Sequence, residues 1–145
     1  MAETETTTEP LYDADILLWA EQQAELLRHR SANALDWDNL AEEIKDVGLS
    51  QLRAVQSHLV LALLHDLKAE AWPLSRDEPH WRAEARLHRI EAWRHYAPSM
   101  VHRIDVGKLY RQARRAMPET IDGTRPLPVP EACPVTLEEI LSEAG

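Results

Sequence analysis

A chain of 145 residues, 44% hydrophobic and 28% charged, is long enough for a real core and too apolar for a disordered coil. Its single cysteine, Cys133, excludes an intrachain disulfide, and its net charge of −9 works against binding a phosphate backbone. The charge is divided: residues 1–50 hold 12 acids against 3 bases and residues 76–117 hold 10 bases against 5 acids, which favours side-by-side packing of the two.

Residues 1–10 read as a disordered acidic tail without the basic and apolar regions of a signal peptide. DADILLWAEQQAELLRHR then predicts one helix from Leu11 to about Arg30, with Asp13 able to cap it and arginines in its last turn. DNLAEEIKDVG follows as a helix in which Leu40, Ile44 and Val47 recur at helical spacing. Gly48 either ends it or marks a weak point in a longer one. Residues 50–71, including HLVLALLHDLKAEAWP at 58–73, are apolar nearly all round and predict the central helix. Pro73 and Pro79 bracket a connection, and a helix runs from about His80 to Tyr96. Pro98 stops it, and Val106, Leu109, Tyr110, Ala113 and Met117 trace another. Four prolines between 126 and 134 predict an extended arm. Thr136 and Glu139 then form a capping box, and Val135 with Ile140 has staple spacing, so a short terminal helix begins there.

The expectation is an all-α protein: an antiparallel helical bundle of about five main helices in a single domain over 11–145, with 118–145 as a wrapping C-terminal arm. No apolar run approaches the roughly 20 residues that span a bilayer. A cytoplasmic protein without membrane contact is expected.

Chemistry is harder to place. Gly-rich phosphate loops, a nucleophile elbow, HExxH, C-x-x-C and the Glu-x-x-His of di-metal bundles are all absent. His58 and His65 are seven residues apart, about 10 Å along a helix, too far to share one metal. In HWRAEARLHRIEAWRH, residues 80–95, Glu84, His88, Glu91 and His95 fall within a narrow arc that permits a metal or a proton relay. The same spacing suits a solvated face carrying i,i+4 pairs, because Ala83, Leu87, Ile90 and Ala97 define a core face to one side. Glu43 lies at a core edge and wants a partner among Lys68, His65, Arg89 and Arg53. The candidates for acid–base work are therefore Glu43, His65, Lys68, Glu84 and Arg89; those for a metal are His65, Glu43, Glu84 and His88. No cofactor is expected.

In order, LYDADILLWAEQQAELLR, LDWDNLAEEIKDVG, HLVLALLHDLK followed by Pro73, W-x-x-E at Trp81–Glu84, Arg89, APSM, YRQARR and CPVTLEEIL resemble the bacterial domain-of-unknown-function family twenty-nine over residues 11–143. The resemblance implies a small helical protein without an established activity, and it marks Asp15, Trp19, Asn39, Glu43, Gly48, His65, Lys68, Trp81 and Arg89. Ala85 departs from the larger aliphatic residue usual there. The leading expectation for function is a non-enzymatic protein-interaction or regulatory module that self-associates, as a homodimer, or binds a protein partner. The alternative is an enzyme or metal-binding protein with an interhelical Glu/His/Lys/Arg site. Nucleic acid is not an expected partner.

Overall fold

The computed structural model describes residues 10–144, so the tail expected over 1–10 lies, apart from Pro10, outside the described residues. Six helices follow one another: α1 (Leu11–Ala14), α2 (Ile16–Arg28), α3 (Trp37–Ala71), α4 (Glu78–His95), α5 (Val106–Arg115) and α6 (Leu137–Ser142). There is no strand among the described residues. The fold is all-α, with a Pro-rich C-terminal arm before the short last helix. The chain groups into two compact units, one ending at Gly48 and the other beginning at Leu49.

In the first unit the single helix expected from Leu11 to Arg30 is broken in two. Asp15, not Asp13, is the cap: it is extended, and its carboxylate accepts from the Leu18 N–H at 3.0 Å. Either aspartate has the right side chain, but only Asp15 lies just before α2 and meets its orphan N–H groups. Trp19 and Gln23 are buried on α2 and lock the loop that follows. Trp19 Nε1 donates to Asp36 at 3.1 Å, Asn39 donates to the same oxygen at 2.8 Å, and the Asp36 N–H donates to Gln23 Oε1 at 2.9 Å. The donors on Asp36, Asn39 first, hold its carboxyl below the usual range. Tyr12 donates its hydroxyl to Glu43, and that bond leads the causes that push the phenol up to about 12.

In the second unit the remainder of α3 and all of α4 form an antiparallel hairpin. Their side-chain pairs run in opposite order: Gln51 with His95, His58 with His88, Asp66 with Arg82. Alanines line the seam, Ala62 and Ala69 on α3 and Ala85 and Ala92 on α4, all fully buried. These small residues recur at seven-residue spacing on both helices, between the flanking side-chain pairs. The face expected to be core, Ala83, Leu87, Ile90 and Ala97, is not the buried one: Leu87 is 50% exposed and Ile90 38%. Burial goes instead to Trp81, Ala85 and Ala92.

The other side of α3 carries Leu52, Val55, Leu59, Leu63 and Leu67 into a core shared with Ile104, Leu109, Tyr110, Ile140 and Leu141. Asp105 caps α5 through the Lys108 N–H at 3.1 Å, and Thr136 caps α6 through the Glu139 N–H at 3.2 Å. The arm is tied down along its length. Trp72 Nε1 donates to the Thr124 carbonyl at 2.8 Å, and the Leu127 N–H to the Ala71 carbonyl at 2.9 Å. Tyr110 donates its hydroxyl to the Pro130 carbonyl. A tight turn at Ile121–Thr124 needs two residues at positive φ, Asp122 at 50° and Gly123 at 75°, which Asp-Gly supplies. By length and composition α3 is the one helix among the described residues that is long and apolar enough to cross a membrane; its Leu52, Val55, Leu59, Leu63 and Leu67 are buried in this core.

Candidate metal centre

One flank of the α3–α4 seam is built from imidazoles and carboxylates. On α3, His58 and His65 lie two helical turns apart on one face; on α4, Glu84, His88, Glu91 and His95 repeat at spacings of four and three. Antiparallel pairing sets these rows against each other and sorts them into two groups, His65–Glu84–His88 and His58–Glu91–His95. Within each group, one ligand atom per residue lies within 4.8 Å of the others, and every member is half-buried. Three ligands around a tetrahedral ion with bonds of about 2.0–2.1 Å stand about 3.3 Å apart, so closure needs only small side-chain movements.

The groups share an edge. His58 Nδ1 and His88 Nδ1 are hydrogen-bonded at 3.1 Å, one donating and the other accepting, while His88 Nε2 faces Glu84 at 3.8 Å. The rings stack in register: His65 and His88 have centroids 5.7 Å apart and an interplanar angle of 5°, His58 and His95 6.2 Å and 1°. Beyond the ligands, His95 Nδ1 lies 2.7 Å from Gln51 Oε1. An amide oxygen only accepts, so Nδ1 carries the proton and the Nε2 lone pair is left for a ligand, the arrangement in which metal-binding histidines are usually held.

One polar atom of this flank is left unpaired. The buried Nδ1 of His65 has no hydrogen-bond partner, and such groups are normally paired. Burial, followed by the neighbouring His88, lowers the pKa of His58; burial, followed by the Lys68 charge, lowers that of His65. Both shifts favour the neutral imidazole that ligates metals.

The candidates from sequence are divided by this geometry. His65, Glu84 and His88 come together, with Lys68 beside them, its ammonium 4.9 Å from the centre of the Trp81 ring. Glu43 belongs to the first unit, bonded to Tyr12; the carboxylate that meets His65 is Glu84. Arg89 lies on the opposite flank of the seam, 2.7 Å from Asp66 and 3.3 Å from Glu143. The solvated face expected for Glu84, His88, Glu91 and His95 is instead turned to α3. Sequence reasoning set aside His58 and did not weigh Gln51. Their signal is the seven-residue step Gln51, His58, His65 opposite an acid–imidazole row.

A family model described as "Domain of unknown function DUF29" matches residues 11–144. The chain belongs to this family. A crystal structure of an alpha-helical protein of unknown function from Rhodospirillum rubrum is similar to it, with 30% identity, a TM-score of 0.66, and coverage of 91% of this chain and 89% of that one. No curated protein matches the chain. For this family member the seam is therefore read on its chemistry alone.

Proposed function

We propose that this DUF29 protein binds first-row divalent cations of the zinc class in the α3–α4 seam. The observation that carries the reading is the pair of two-histidine, one-carboxylate groups, each within ligand reach. Two imidazoles and one carboxylate are a borderline donor set that suits zinc, and three protein ligands leave a coordination position open. Zinc titration of metal-stripped protein, read by calorimetry and by elemental analysis after desalting, is expected to give two ions per chain. Retention of no ion overturns the reading.

A second reading, a self-associating module, is favoured by the first unit. Ile44 is 70% exposed, Val47 65% and Leu17 67%, and exposed apolar residues at helical spacing are what a partner helix covers. In this reading the partner is a second copy of the chain in the bacterial cytoplasm, without membrane or nucleic acid. Sedimentation should show a dimer that Ile44→Asp with Val47→Asp converts to monomer; a monomeric parent protein at high micromolar concentration sinks it.

A further inference from the structure

The two groups differ in what stands next to them. One turn beyond His65 on α3 is Lys68, and one turn before Glu84 on α4 is Trp81, so the Lys68–Trp81 contact forms the next layer of the same seam. Lys68 is half-buried, its ammonium is held over the ring of the buried Trp81, and among the described residues it has no carboxylate within 4.0 Å. An aromatic face holds an ammonium without neutralising it. The charge beside the His58 group is different: Arg94, exposed, is already bonded to Glu91 at 3.1 Å.

Resting on the metal reading above, we infer that the ion in the His65–Glu84–His88 group takes a phosphate-class dianion as its outer ligand, bridged to the Lys68 ammonium. The charges argue for it. A divalent ion with one carboxylate and two neutral imidazoles is left with one positive charge, and Lys68 adds a second in a half-buried place. A dianion cancels both, with one oxygen filling the open metal position and another accepting from the ammonium. Inorganic phosphate and a phosphate monoester share that chemistry near neutral pH. The His58–Glu91–His95 ion has no such cation and retains water.

The test uses full-length protein loaded with zinc and desalted, titrated by calorimetry with inorganic phosphate and, separately, with glycerol 3-phosphate. One dianion per chain is expected, bound only by the zinc-loaded form; tighter binding of the ester identifies a monoester as the natural ligand, tighter binding of phosphate the free anion. Lys68→Met should weaken binding about tenfold or more with zinc content and helical circular dichroism unchanged, and Lys68→Arg should restore most of it. Lys45→Met, at an exposed lysine of the first unit, should leave dianion binding intact. Zinc-loaded protein that binds neither anion, or Lys68→Met that binds as well as the parent, overturns the inference while leaving the metal reading standing. Failure to take up zinc at all, seen before any anion is added, overturns both.

Discussion

The two flanks of the α3–α4 seam pair carboxylates with different partners: guanidinium groups on one, imidazoles on the other. On one, Asp66 accepts from Arg82 at 3.3 Å and from Arg89 at 2.7 Å, Glu78 accepts from Arg82 Nε at 3.1 Å, and Glu143 lies 3.3 Å from Arg89 Nε, a buried atom without a hydrogen bond. Arg82 and Arg89 each have a counter-charge there, which fixes helix register. On the other, two carboxylates stand near four imidazoles without closing on them, and His65 Nδ1 is buried and bare. A pair of permanent charges holds a fold; an imidazole in its neutral form keeps a lone pair that a metal can take.

That contrast is breakable. Replacing a ligand should have the largest effect: His65→Ala and His58→Ala are each expected to lower zinc content from two ions to one, and the double variant to none, by elemental analysis. Next comes the ion-paired flank. Asp66→Ala leaves Arg89 poorly compensated and is expected to cost about 2 kcal/mol in urea unfolding of the metal-free protein, with both zinc sites still filled. If Asp66→Ala abolishes zinc binding instead, the flanks are not independent. Gln51→Ala frees the His95 ring and should weaken only the second ion, by about tenfold in calorimetry.

The smallest effect is on pH. Burial holds the folded pKa values of His58 and His65 below the ordinary imidazole value of about 6.5, so the unfolded chain binds protons first as pH falls. Their contribution is fully present above about 6.5 and is lost as pH drops toward the folded values. The melting temperature of metal-free protein should fall by about a few degrees between pH 7 and 5, and less in His58→Ala with His65→Ala. An unchanged difference would assign the loss to other groups.

Most helix boundaries were legible because their signals are local. Pro79 starts α4, Pro98 follows its end and Thr136 caps α6, each through its own backbone or side chain. The break before α2 was less so, since Asp13 and Asp15 are chemically equivalent caps until the chain chooses between them. The site was half legible. Seven-residue spacing placed His58 and His65 on one face, but side-chain volume misdirected the reading of α4: Leu87 and Ile90 looked like core, whereas Trp81, Ala85 and Ala92 are its buried residues. Consecutive residues turn 100° apart on a helix, so His65 and Asp66 go to opposite flanks. Which partner meets which depends on helix pairing that no single segment encodes. That is why Arg89 and Glu43 were grouped with His65.

The arm after α5 has a bearing on the order of events during synthesis. A helix leaves its last carbonyls without internal partners, and at the end of α3 the Ala71 carbonyl is met by the Leu127 N–H, while Trp72 is tied to Thr124. The final turn of α3 carries Lys68. It therefore waits, on the ribosome, for a segment made much later, and a nascent chain cut before the arm should fray from that end while the His58 turn stays wound.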